Sequence, residues 1–481
     1  LPTTEPVQTK QGWVQGLQGK NFRAFVGIPY AQPPTGNLRF TSPSPPLPFS
    51  ETYQATNLAP ACPQPNFESI YEQTQSEDCL YLNVFTPSVN SSSPFPVLFY
   101  IHGGGWITGS GMIPLYWGEN FANDDTGVIL VTINYRLGAL GWLVSEAIGD
   151  QNFGFKDQQM AMSWVQENIR SFGGDPTRVT IAGQSAGGMS VGTHLTVPSS
   201  YPLFSQAIIQ SGPPMVTYPT VEERYGYAEQ FANSLGCSST DISCLREKNV
   251  TQIIEVQGKI IPLPLPIPLD ENPNAILFWM PVIDGEIILG SPQSRINQNQ
   301  TAFVPTAWGT TRNETAGYVN EFLPFTLIEL EYDALLAVLF GRANVSLVKE
   351  MYPARTPQQI RTQISQISCD YIFTCSLRYS ARVYANAGAP VHKYLFLHPP
   401  STDPRCNGTV SHCADIQETC HGAELDYVFN SAKYAGANYT ADESQLSMEV
   451  LSYWVAFVKG EATAAGWPEY IPNSDNNLAF D

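Results

Sequence analysis

The sequence predicts an α/β protein, a large mixed and mostly parallel sheet with helices on both faces. Short apolar runs without polar alternation recur along the chain, as in strands buried on both faces. Between them lie stretches with apolar residues at helical spacing, the pattern of crossover helices. At 481 residues the length suggests about three domains of ~150 residues, yet a large α/β fold holds as many in one. No stretch reads as a linker, and the chemistry identified below draws on residues from His102 to His421. A single domain over 1–481 is therefore expected.

Taken in order, VLFYI (97–101), VILVTI (128–133), VTIA (179–182) and QAIIQ (206–210) read as buried strands. The stretch 157–172 places Met160, Trp164, Val165 and Ile169 at helical spacing and stops at Gly173-Gly174, as a crossover helix does. The run 259–269, KIIPLPLPIPL, has alternating prolines that forbid helix and central strand, so it reads as an extended surface loop. Beyond it, FVPTAW (303–308) and VHKYLFL (391–397) supply two more strands. Residues 444–459 form an amphipathic helix with Met448, Leu451, Val455 and Val458 on one side.

Apolar residues make up 43% and charged residues 14%, which excludes a disordered chain or a coiled coil. The net charge of −19 repels phosphate backbones and anionic membranes, so nucleic acid is not an expected partner. The nearest approach to a membrane span, 260–282, is broken by six prolines and by Asp270 and Glu271; no integral membrane segment is expected. The first residues, Leu-Pro-Thr-Thr, lack a signal peptide's basic and apolar regions, as in a form whose leader has been removed. Sequons begin at Asn90, Asn249, Asn299, Asn313, Asn344, Asn407 and Asn438, and nine cysteines occur without a zinc-type repeat. Together these point to a secreted, glycosylated protein.

Two glycine motifs carry the chemistry. Gly183-Gln184-Ser185-Ala186-Gly187 joins a strand to a helical stretch. Glycines on both sides allow a tight turn that pushes the serine Oγ outward. His102-Gly103-Gly104-Gly105 directly follows a strand, and its glycines can aim backbone N–H groups at one point. With the Ala186 N–H, those of Gly104 and Gly105 would hold the oxyanion of an acyl-transfer intermediate.

With these motifs in place, the chain resembles the type B carboxylesterases, the family of cholinesterases, carboxylesterases and fungal lipases on the α/β-hydrolase fold. The likeness extends over nearly the whole chain through FVGIPYA (25–31), SEDCLYLNVFTP (76–87), NYRLGALG (134–141), FGGDP (172–176) and QSG (210–212). A serine nucleophile needs a histidine base, and the base needs a carboxylate to fix its tautomer. His102, His194, His392 and His398 belong to the turn, the helix after Ser185 or a strand's flanks, which leaves His412 and His421 as loop candidates. His421 precedes a helical stretch and matches the family's His-Gly loop. Glu314 falls where the family's acid falls, giving the chain order Ser, Glu, His. The resemblance also implies that Ser211 helps orient the acid. Trp106, after the glycine turn, and Tyr318, four residues past Glu314, are placed either to face the reacting ester or to pack as core aromatics. Asn313, one residue from the acid, is discounted as a glycan site. The implied function is hydrolysis of a small-molecule carboxylic ester, with no metal or organic cofactor. The rival readings are a lipase or sterol esterase, and a silent adhesion module of the kind some relatives have become.

The resemblance further implies disulfides Cys62–Cys79 and Cys237–Cys244, and leaves Cys369, Cys375, Cys406, Cys413 and Cys420 unassigned, with at least one not paired within the chain. Between Cys62 and Cys79 lie 16 residues with four acids and no tryptophan. The cholinesterases' aromatic grip on a quaternary ammonium is thus missing. Gly317 stands where they carry a second aromatic, and neutral Gln184 where they carry Glu. Choline esters are not expected. A lipase's long amphipathic lid is also missing from this loop.

Overall fold

A computed structural model describes all residues except 66–72, 90, 260–276, 324–325 and 402–416. Ten strands form the main sheet: β3 (Leu17–Gln18), β4 (Phe22–Pro29), β6 (Tyr81–Pro87), β7 (Phe95–Ile101), β8 (Ile129–Ile133), β9 (Gly174–Gln184), β10 (Gln206–Gln210), β11 (Thr306–Thr311), β12 (Val391–Phe396) and β13 (Leu478–Phe480). Their order is β13-β12-β11-β10-β9-β7-β8-β6-β4-β3. From β13 to β8 every neighbouring pair is parallel, while β6, β4 and β3 join antiparallel. A small second sheet pairs β1 (Val7–Gln8) and β5 (Tyr53–Gln54) with β2 (Trp13–Gln15). This is the large mixed sheet of the α/β-hydrolase fold.

The unalternating apolar runs have the expected cause. Val97, Phe99 and Ile101 enter the core on one face, and Leu98 and Tyr100 the core on the other. A strand with period-2 side chains must be apolar throughout when both faces are covered. Phe153–Asn168 covers the first face with Ala161, Met162, Trp164 and Val165, and Ala441–Lys459 covers the second.

The latter helix starts where Thr440 and Glu443 cap one another: Thr440 Oγ1 accepts from Glu443 N–H at 3.1 Å and Glu443 Oε2 from Thr440 N–H at 2.8 Å, an arrangement that contributes about 1 kcal/mol. Its buried face runs through Ser447, Val450, Leu451, Trp454, Val455 and Val458, whereas Met448 is 51% exposed. The apolar stripe therefore lies one position away from the Met448 expected on it. The strand expected at 303–308 begins only at Thr306 and runs to Thr311. Pro305 has no N–H to donate to a ladder, and Phe303 is exposed.

Both expected disulfides are present, Cys62–Cys79 and Cys237–Cys244. Cys369 and Cys375 are free, whereas Cys420 is disulfide-bonded; Cys406 and Cys413 lie outside the described residues. Closing the loop between Cys62 and Cys79 contributes about 3 kcal/mol in the chain-entropy picture. A Cys79→Ser variant is therefore expected to melt about 3 °C lower by calorimetry. An unchanged melting temperature would refute the stabilising role of this bridge.

Asn249, Asn299, Asn344 and Asn438 are exposed. Asn313 is buried and bonded to Ser365 and Glu418, so it has no room for a glycan. Asn90, Asn407, His412 and most of the proline-rich run lie outside the described residues. Among those described, no helix is long and apolar enough to cross a membrane.

Candidate active site

In open α/β sheets, ligand sites form beyond the carboxyl ends of the parallel strands. Ser185, Glu314, His421 and the glycine turn follow β9, β11, β12 and β7, so all four lie at that edge.

Ser185 sits between β9 and the helix Ala186–His194 with φ 58° and ψ −127°, a conformation costly for any residue with a side chain. Two glycines make the turn feasible. A Cβ on Gly187 would lie 2.1 Å from the Ile101 carbonyl oxygen, and one on Gly183 would lie 2.5 Å from the Gly187 carbonyl. Ser185 N–H donates to the Gln210 carbonyl at 2.9 Å. Between 179 and 197 Ser185 alone is not buried, so the turn lifts it out of the core.

The glycine turn packs directly against this elbow, the position for a Cβ on Gly103 lying 3.0 Å from Ser185 Cβ. Gly104 and Gly105 have φ 105° and 62°. The Gly104 carbonyl accepts from the N–H groups of Ile107 and Thr108, each at 3.0 Å. Among the described residues the N–H groups of Gly104, Gly105 and Ala186 make no hydrogen bond. Three donors are thus left for a ligand oxygen.

Glu314 and His421 are joined. Glu314 is fully buried; its Oε1 accepts from Ser211 Oγ at 2.6 Å and from Thr311 N–H at 2.8 Å, and its Oε2 lies 2.6 Å from His421 Nδ1. The carboxylate accepts at Nδ1, so that nitrogen carries the proton and Nε2 keeps its lone pair. Nε2 faces the side-chain amide of Gln184 at 3.0 Å. Ser185 Oγ makes no hydrogen bond among the described residues. Phe373 and Tyr318 flank the imidazole at 5.0 and 5.8 Å between ring centroids.

The other described histidines have different surroundings. Burial pushes His102 down to about 4, against the pull of the Gly103 carbonyl, and His194 down to about 3. His392 is held below the usual histidine value by burial, and His398 lies 3.5 Å from Glu443. None of these four contacts Glu314.

A sequence model of the carboxylesterase family matches residues 3–481. The chain belongs to the carboxylesterase family. It is 33% identical to the para-nitrobenzyl esterase of Bacillus subtilis (strain 168), over 100% of this chain and 95% of that protein. It is 32% identical to the acetylcholinesterase of Bungarus fasciatus, over 96% and 80%. It is also 37% identical to the crystal protein of Dictyostelium discoideum, over 94% and 81%. A solved PNB esterase superposes with a TM-score of 0.81 at 32% identity, over 99% of this chain and 96% of the other. The protein is thus a serine carboxylesterase.

Within this carboxylesterase one expected pocket residue lies elsewhere. Trp106 is fully buried between Trp142 and Tyr218, its indole N–H donating to Ser190 Oγ at 3.0 Å. It belongs to the core, with a left-handed φ of 59°. Tyr318, 42% exposed, stands beside His421. Three neighbours were not legible as such. Thr311 supplies a backbone donor to Glu314, Phe373 covers one face of His421, and Leu277 Cδ2 lies 3.6 Å from the Cβ position of Gly105. Among the described residues no group of three His, Cys, Asp or Glu is placed to hold a metal ion.

Proposed function

We propose that the protein is a secreted hydrolase of neutral carboxylic esters, acting within one catalytic domain over 1–481 through an acyl-enzyme on Ser185. The observation that carries the reading is the bond from His421 Nδ1 to the buried Glu314, which leaves Nε2 basic beside the elbow. Ser185 Oγ attacks the ester carbonyl carbon while Nε2 takes its proton. The N–H groups of Gly104, Gly105 and Ala186 receive the oxyanion. Collapse breaks the C–O bond, and His421 returns the proton to the leaving alcohol. Water then repeats the sequence to release the acid.

Gln184 must release Nε2 for this to occur. Catalytic hydrogen bonds in unliganded enzymes commonly form only once substrate is bound. Glu314 accepts from His421 Nδ1 and so fixes the Nδ1–H tautomer, and Ser211 holds the carboxylate from its far side.

Three features of the sequence support this substrate class. The loop from Cys62 to Cys79 has no tryptophan, Gly317 carries no ring beside Tyr318, and Gln184 is neutral, so the aromatic grip that the cholinesterases use on a quaternary ammonium is missing at these positions. The disulfides support an oxidising, extracellular setting. The test is a panel of p-nitrophenyl esters of increasing acyl length, with acetylthiocholine beside them. Neutral esters are expected to turn over, with kcat/KM for the choline ester at least ~100-fold lower. A rate that jumps once substrate exceeds its solubility would indicate a lipase or sterol esterase instead.

A further inference from the structure

Behind the glycine turn lies a buried polar chain that the reaction does not itself use. Ser190, in the elbow helix, is fully buried. Its Oγ donates to the Ala186 carbonyl at 2.9 Å and accepts from Trp106 Nε1–H at 3.0 Å and from Gln158 Nε2–H at 3.3 Å. One donor and two lone pairs are all a hydroxyl has, so this oxygen is saturated. The chain continues from Gln158 Oε1 to His194 Nε2 at 3.1 Å, and from His194 Nδ1 to Ser200 Oγ at 2.9 Å. Because Gln158 Oε1 can only accept, Nε2 of His194 carries the proton and Nδ1 accepts from Ser200. Burial keeps that imidazole neutral, and the Phe155 ring stacks on it at 4.2 Å between centroids. Every member has its partners, the condition under which a buried network rigidifies its surroundings.

We propose that Ser190 is a positioning residue that holds the oxyanion turn in register with the elbow helix. The inference rests on the ester-hydrolase reading above. Ala186, whose N–H is one proposed oxyanion donor, has its carbonyl tied to Ser190. Trp106 directly follows Gly105, whose N–H is another. Trp106 is held in a left-handed conformation by two bonds, its indole to Ser190 and its carbonyl to Gly138 N–H at 2.8 Å. One hydroxyl thereby links both sides of the hole. Backbone donors act only if they point where the negative charge develops, so loosening this link weakens transition-state binding more than substrate binding.

The test is Ser190→Ala in the full chain, followed by kcat and KM for a p-nitrophenyl ester, inhibition by a trifluoromethyl ketone, and thermal melting. The ketone accepts Ser185 Oγ at its carbonyl carbon, with the serine proton passing to His421, and its oxygen then occupies the hole. The expected result is a kcat at least ~10-fold lower, KM within about twofold, and ketone inhibition weakened by the same factor as kcat. A merely structural role would lower the melting temperature and leave kcat and ketone inhibition unchanged, and that result overturns the proposal. So does a loss confined to KM. If Ser190→Ala does not fold, Trp106→Phe removes the same bond from the other side while keeping an aromatic ring, and the same criteria decide. Hydrolysis and ketone inhibition by the unaltered chain test the parent reading separately: if both are absent, that reading fails, whatever the variants do.

Discussion

Ser185→Ala is expected to lower kcat for p-nitrophenyl butyrate by at least ~10⁴-fold while leaving the fold intact. Ser185 is the one partly exposed residue of an otherwise buried turn, so removing its oxygen deletes the nucleophile and little packing. The remaining activity would come from the oxyanion donors and His421 acting on water. A melting temperature within about 1 °C of the original would show that the loss is chemical. Retained turnover would mean that another group carries the acyl intermediate.

Glu314→Gln should be nearly as damaging, with kcat lower by about 10⁴-fold. The change is isosteric, but an amide offers either an oxygen or an NH2 where Glu314 offers two acceptors. Ser211 Oγ, Thr311 N–H and His421 Nδ1–H all donate to this carboxylate. With one acceptor removed, either the imidazole loses its Nδ1 partner or the Ser211 and Thr311 donors lose theirs. The developing imidazolium also loses its counter-charge in a buried site, where that charge matters most. Measuring kcat for Glu314→Gln beside Glu314→Asp separates charge from reach, and an unchanged kcat in the amide variant would remove Glu314 from its proposed role.

The glycine motifs were legible because their demand is local: no Cβ fits at Gly183 or Gly187, and a strand precedes each motif. The sheet was legible for a similar reason, since strands covered on both faces have no polar positions. Glu314 and His421 were another matter. They are 107 residues apart; placement on elements narrowed the histidines only to His412 and His421, and the family likeness singled out His421 and Glu314. Trp106 shows another limit, because its type and place fitted a pocket wall or the core equally, and burial with the bond to Ser190 appears only in the folded chain. Phe373 reaches His421 from a π-helical turn, Cys369–Thr374, which neither a 3.6- nor a 2-residue period reveals. The network through Trp106, Gln158 and Ser190 joins three separate segments, so it too appears only once the chain is folded.

The central claim, that Ser185 is a nucleophile activated at this site, is tested most directly by reacting the protein with an organophosphate and locating the adduct by peptide mass spectrometry. The account predicts one adduct per chain, on Ser185, with esterase activity lost in proportion to labelling. A protein that stays unlabelled, or one that loses activity while Ser185 remains unmodified, would contradict it.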